Sequence, residues 1–175
     1  MADARVDLLE RTIAEVAHHG LGDRSLRDIA AAIGSSHRML LYHFGSRPGL
    51  VQAIVERVEA DQRAVFLQLA ATARSARELV ESLWSSVSAP DMLPFVRLFF
   101  EAIGTTTVEA PDAVTKLWID ESAVATAQLG VAFDPVETRL GVAITRGLLI
   151  DVLTNGDAAA ATAALHLFLD RWSWG

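Results

Sequence analysis

Ser25–Leu50, SLRDIAAAIGSSHRMLLYHFGSRPGL, reads as two short helices joined by a tight turn. Ser25 is a good N-cap, and Asp28 three residues on completes an S-x-x-D capping box. Leu26, Ile29, Ala30 and Ile33 then recur at helical spacing and give that helix one apolar face. Gly34 stops it, because the residue after a helix end often takes a positive φ that glycine adopts without strain. Ser36 caps a second helix through Arg38, Leu40, Leu41 and Phe44. Two helices joined across a short glycine-containing turn are a helix-turn-helix, whose second helix offers its N-terminal residues to base edges in the major groove. The base-contacting candidates are therefore His37, Arg38 and Met39.

At these residues the segment resembles the DNA-binding domain of the TetR family of bacterial transcriptional repressors. Asp28-Ile29-Ala30, Gly34, Ser36, Leu40, Tyr42-His43-Phe44 and Ser46-Arg47 fall on the pattern of that family: a D-I-A helix, a glycine turn, a short helix ending in aromatics, His and Phe, then Ser-Lys before a long helix. The match covers roughly the first third of the chain, and its combined spacing is far more specific than a lone helix-turn-helix. Two positions depart from the pattern. Leu41 replaces a common tyrosine, which removes one phosphate contact, and Arg47 replaces the usual lysine, keeping the charge and adding a fork suited to phosphate. The resemblance implies a homodimeric, ligand-responsive repressor. Its C-terminal domain would bind a small molecule and shift DNA affinity through a bridging helix.

Arg38 is the sharpest candidate for reading a base, as a bidentate donor to guanine O6 and N7. His37 reads a base or a phosphate. Ser35, Ser36, Tyr42, His43 and Arg47 are candidate phosphate contacts, since hydroxyls, cations and helix N-termini all serve there. Tyr42 either does this or packs against the first helix. Leu40, Leu41 and Phe44 are assigned to core. Arg24 and Arg27 either touch the DNA backbone or oppose nearby acids.

The formal charge of −7 argues against a nucleic-acid partner if taken globally. Locally it does not: residues 1–50 carry six Arg against six acids and four of the five His, so residues 51–175 hold the whole −7. The 175 residues suit one or two small units with ample core. With no cysteine, disulfides and thiolate metal sites are excluded, which fits a reducing cytoplasm, the expected location. The charged N-terminus lacks the apolar stretch of a signal peptide, and no apolar run reaches about 18 residues, so no membrane partner is expected.

Every long segment reads as helix, so the fold class is all-α. The N-terminal DNA-binding domain is placed at 1–46, with a first helix from about Ala4 to His18; its core is Leu9, Ile13, Leu26, Ile29, Ile33, Leu40 and Phe44. A helical ligand-binding and dimerisation domain is placed at 47–175. It starts with a long helix capped by Ser46, with Pro48 in the first turn, where a missing N–H costs nothing. Further helices are predicted near Arg74–Ser88, over Met92–Ile103, from Pro111 to about Leu129, from Pro135 to Asn155, and from an Asp157 cap to about Trp172, with a loop over Gly104–Thr107.

The last two helices are the candidates for self-association, through Leu140, Ile144, Leu148, Ala161, Leu165, Phe168 and Trp172, with Ala143 and Gly147 as a flat surface. The final helix also has Ala164, Leu167 and Leu169 on its other side, so one side would pack inside the subunit and the other across a dimer. Trp84, Phe95, Phe99, Phe100 and Trp118, with Glu101 as an orienting polar group, either line a pocket for an apolar or amphipathic effector or form plain core. Asp120 and Glu121 are read as solvated. No phosphate-cradling Gly-rich motif, G-x-S-x-G or H-E-x-x-H is present, so neither catalysis nor a metal or other cofactor is expected. The alternative to a DNA-binding regulator is a helical ligand-binding or interaction module without specific DNA binding. Leu41 and the shortage of lysine, only Lys116, favour that alternative.

Overall fold

The computed structural model describes residues 2–105 and 111–172, and side chains within 4–104 and 115–172. Among the described residues all regular structure is helical, in chain order α1 (Ala2–His19), α2 (Leu26–Ala32), α3 (His37–Phe44), α4 (Arg47–Thr72), α5 (Ala76–Val87), α6 (Leu93–Thr105), α7 (Pro111–Gln128), α8 (Pro135–Asn155) and α9 (Ala158–Arg171). The loop expected over Gly104–Thr107 falls partly outside the described residues; α6 continues as far as Thr105. No helix among the described residues is long and apolar enough to cross a membrane.

Local chemistry starts and stops these helices. Ser25 and Asp28 form both halves of the capping box on α2. Ser36 Oγ accepts from the Met39 N–H at the start of α3. Asp134 accepts from Val136 and Glu137, while Glu137 reaches back to the Asp134 N–H, so α8 carries a second capping box that the Pro135 signal alone does not reveal. Asp157 accepts from Ala160 to start α9, one residue after Gly156 closes α8 in the left-handed region.

The chain divides into two compact units, and the division is not at 46/47. One unit runs to Ala60 and takes in α6 from Pro94; the other holds Asp61–Leu93 and the chain from α7 onward. The reason lies in α4. Leu50, Val51, Ala53, Ile54, Val55 and Val58 are all buried, so its first half is core for the helix-turn-helix unit and not an exposed bridge. Arg57 also pairs with Glu10 of α1 at 2.8 Å. In the second unit, Phe66 of α4 packs with Leu79 of α5 and Ala125 of α7, and Arg77 ties α5 to α9 through Asp170 at 2.7 Å. Trp118 lies edge-on to Phe66, with ring centroids 5.6 Å apart. Glu121 is not simply solvated, since its carboxylate lies 3.4 Å from Arg63 and one oxygen is buried.

The entry into α4 is tight. Ser46 Oγ accepts from the Gly49 N–H, and a Cβ at Gly49 would collide with the Phe44 carbonyl oxygen. Backbone cannot step aside as a flexible side chain does, so Gly49→Ala is expected to cost about 1–3 kcal/mol, read as a lower urea midpoint. Gly141, in the middle of α8, is the contrasting site, because a Cβ there would meet no heavy atom within 4 Å. Gly141→Ala is expected to stabilise the chain by up to about 1 kcal/mol through helix propensity. Equal effects at the two positions would mean that the contact with Phe44 does not restrict residue 49.

Candidate nucleic-acid interface

The turn between α2 and α3 is built from backbone. Gly34 sits at φ 65°, its N–H donates to Ala31 at 3.2 Å, and the Ser35 N–H donates to Ala30 at 2.8 Å. These bonds satisfy the end of α2 and turn the chain directly into the Ser36 cap of α3. At the far end Gly45, at φ 73°, donates to Leu41 and closes α3 after eight residues.

Periodicity then decides which side chains of α3 face outward. Leu40 and Phe44 are buried one turn apart, and Arg5 of α1 lies over the Phe44 ring at 5.3 Å. His37 and His43 flank them, half-buried. Arg38, Met39, Leu41 and Tyr42 are exposed on the opposite side, and Tyr42, at 69%, is more open than Met39 or Leu41. The Tyr42 ring stands edge-on to His43, with centroids 4.9 Å apart. Leu41 is therefore not core, because three and four residues from Arg38 an outer position falls at 41 and at 42. The single helix brings His37, Arg38, Met39, Tyr42 and His43 together, with Ser35 and Ser36 at its N-terminal edge.

Arg47 is placed differently. Its Nε donates to the Arg24 carbonyl at 2.9 Å, and a terminal nitrogen donates to the Gly22 carbonyl. The planar fork that suits phosphate here spans two carbonyls of the α1–α2 turn, so its main partners are within the protein. Arg24 in turn pairs with Glu15 at 2.9 Å, the acid-opposing role rather than a DNA contact. At the start of α2, hydrogen bonds from the Ser25 hydroxyl and N–H hold the Asp28 carboxyl below the usual carboxylate range. A depressed carboxylate pKa means that this cap is fully present at neutral pH and is lost only as pH falls through the lowered value.

The same turn captures Glu101. Its carboxylate accepts from the Leu21 N–H at 3.2 Å and from the Gly22 N–H, so it is a brace from α6 rather than a polar group in an effector pocket. Nothing local in the sequence marks a contact across 80 positions. The aromatic set expected to line one pocket is likewise divided. Phe95 lies 6.5 Å from His18, and Phe99 and Phe100 stack edge-on at 5.3 Å, all in the unit that contains α1–α3. Trp84 and Trp118 belong to the other unit; Trp84 is buried and donates its ring N–H to Thr162 Oγ1 at 2.8 Å.

On α9, Ala161 and Leu165 are 0% exposed within the single chain and cannot meet a second copy. They face inward with Leu169, and the outer apolar side of α9 is Ala160, Ala163, Ala164 and Leu167. Phe168 and Trp172 are half-buried around one aromatic contact, with centroids 4.5 Å apart, and Trp172 also meets Phe133. On α8, Val136, Leu140, Ala143, Gly147 and Ile150 are exposed at alternating steps of four and three, while Ile144 and Leu148 are half-buried.

Residues 8–66 match the family described as bacterial regulatory proteins, tetR family. No curated protein matches the chain. Among solved structures, a protein from Rhodococcus sp. assigned to the TetR-family transcriptional regulators is 22% identical, with a TM-score of 0.78 over 96% of this chain and 97% of that one. A TetR-family transcriptional regulator from Pectobacterium atrosepticum is 21% identical, with a TM-score of 0.77 over 97% and 93%. The multidrug binding protein EbrR, solved with imidazole, is 22% identical, with a TM-score of 0.67 over 95% and 89%. At these identities the likeness is one of fold.

Loss of the Arg47 fork strands two carbonyls, so Arg47→Ala is expected to lower stability by about 2 kcal/mol in urea unfolding. Arg47→Lys should recover only part, because one ammonium does not reproduce the two-pronged geometry. An unchanged midpoint together with weaker binding to all DNA would return Arg47 to a phosphate-contacting role.

Proposed function

We propose, on the match of residues 8–66 to the tetR family of bacterial regulatory proteins, that this chain is a sequence-specific DNA-binding transcriptional regulator that acts as a homodimer. The observation that carries this reading is the exposed face of α3. Arg38 and Tyr42 stand at its centre, with Met39 and Leu41 on its flanks, on a helix whose opposite side is locked into core by Leu40 and Phe44. A side chain held on a short helix of fixed orientation can be presented to a base edge with defined geometry, which a flexible loop cannot do.

Arg38 supplies the bidentate contact to guanine, and His37 and Met39 complete the base-reading set. Ser35, Ser36, Tyr42 and His43 contact phosphate and fix the register of the helix on the duplex. Two copies of α3 read successive major grooves, roughly one helical turn apart, when two chains associate through a two-fold axis. The exposed stripe Val136, Leu140, Ala143, Gly147 and Ile150 of α8, beside Ala160, Ala164 and Leu167 of α9, supplies the self-complementary surface. The protein acts as a repressor, and the second, helical unit binds an apolar or amphipathic effector. The fold shared with EbrR, which is described as a multidrug binding protein, supports a ligand-binding role for that unit. The effector lowers operator affinity only as far as its own affinity differs between the two states of the dimer.

The test is fluorescence-anisotropy titration of duplexes tiled across the DNA upstream of the gene, at two salt concentrations, with random duplex as control. Tight binding to one tile, two chains per site and steeply weakened by salt, is the expected result. Arg38→Ala should lose about 1–3 kcal/mol at one base pair of each half-site and relax its specificity there. Equal losses on operator and random DNA would remove Arg38 from the base-reading set. Leu140→Glu with Leu167→Glu places charges on the outer stripe; by light scattering the chain should become monomeric, with operator binding reduced to that of a single half-site. A variant that stays dimeric would move the interface elsewhere.

A further inference from the structure

Leu41 and Met39 are 39% and 41% exposed on the outer side of α3, although the core beneath that helix is already filled by Leu40 and Phe44. Neither side chain can donate a hydrogen bond to phosphate, so neither is explained by backbone contact. We infer that Leu41 is a specificity-determining residue that reads the C5-methyl group of thymine. The inference rests on the proposed role of α3 in the major groove and says what that helix recognises there.

Three observations converge on this residue. First, Leu41 lies one helical turn beyond Arg38, so the two side chains share a strip of the outer face and reach adjacent base pairs. Second, in the major groove thymine alone presents a methyl group, whereas guanine, adenine and cytosine are recognised there chiefly through donors and acceptors. An apolar side chain pressed against those edges would strip water from polar atoms and return no hydrogen bond. Third, the outer face of α3 is short of charge: Arg38 is its exposed cation, and apolar side chains stand on both flanks. A face of this composition gains its discrimination from one guanine contact and from methyl groups beside it. Each half-site should therefore contain a thymine next to the guanine read by Arg38. Met39, on the far flank beyond Tyr42, is too far around the helix to share that base pair.

The test separates this inference from the DNA-binding reading beneath it. High-affinity duplexes are selected from a random pool with the full-length chain, and each thymine of the selected site is then replaced by uracil. That change removes the methyl group and leaves every hydrogen-bonding edge intact. At one thymine per half-site, uracil is expected to weaken binding about fourfold, the loss that follows from leaving one methyl-sized group unburied. Leu41→Ala and Leu41→Asn, both on an exposed position and with unchanged thermal midpoints, should bind the thymine and uracil duplexes equally. Arg38→Ala should keep the thymine preference. If the wild-type chain binds thymine and uracil sites alike, the methyl-reading role is overturned while DNA binding stands. If the preference survives in both Leu41 variants, the assignment to Leu41 is overturned. If selection yields no preferred sequence, the DNA-binding reading fails and this inference fails with it.

Discussion

The turn between α1 and α2 is the constraint on which the N-terminal unit depends. It is too short to hold itself, and its backbone is held from both polarities at once: the Glu101 carboxylate takes the Leu21 and Gly22 N–H groups, and the Arg47 guanidinium takes the Gly22 and Arg24 carbonyls. Each of these bonds has a charged partner, which makes it stronger than a bond between neutral groups. Leu21, at the centre of the turn, is wholly buried, so its amide would be costly to leave unpaired. The direction in which α2 departs from α1 is set here, and with it the placement of α3. The placement of α3 therefore depends on Arg47 of α4 and Glu101 of α6, two residues outside the helix-turn-helix itself.

What can be read from the sequence follows from the range of the physics involved. Capping is a matter of three residues, so Ser25–Asp28, Ser36 and Asp157 are legible, and the resulting bonds are present. Helix existence is legible from apolar spacing for the same reason. Leu41 misleads because a leucine beside Leu40 counts as apolar in any pattern, whereas only the phase of the helix shows that position 41 points away from the core. Arg47 and Glu101 mislead because their partners are main-chain atoms far away in sequence, and backbone groups have no letter to recognise. The stripes of α9 show the same limit. Both sides of that helix are apolar, and which side turns inward is decided by α8 and α5, through contacts such as Trp84 with Thr162 and Arg77 with Asp170.

Net charge is a poor guide to this chain because the charges are segregated. The excess of acids lies beyond residue 50, and in the N-terminal unit several acids are already engaged by cations: Glu10 with Arg57, Glu15 with Arg24, Asp7 with Arg11. Exposed pairs of this kind add little to stability, but they cancel fields that would otherwise repel phosphate. The outer side of α3 carries no acid at all. A surface with one exposed arginine would bind random DNA weakly, since nonspecific affinity grows with the number of phosphates neutralised. Specificity is a difference between two affinities, and weak nonspecific binding widens that difference as effectively as a stronger operator contact.

Symmetry sharpens this argument. In the proposed regulator, with a single exposed arginine on each α3, one chain would have few contacts through which to distinguish a site. Two chains fixed to each other double those contacts and add the requirement that both half-sites occur at one spacing, so discrimination is multiplied rather than extended. In the proposed dimer the outer stripes of α8 and α9 would then belong to the recognition machinery without touching a base. The small residues Ala143, Gly147, Ala160 and Ala164 suit this task, because they let two helical backbones approach closely and fix their mutual angle by packing rather than by long flexible side chains. A loosely packed interface would hold the chains together yet leave the separation of the two α3 helices undefined. For the proposed regulator, with one exposed arginine on α3, a defined separation would matter as much as any single contact.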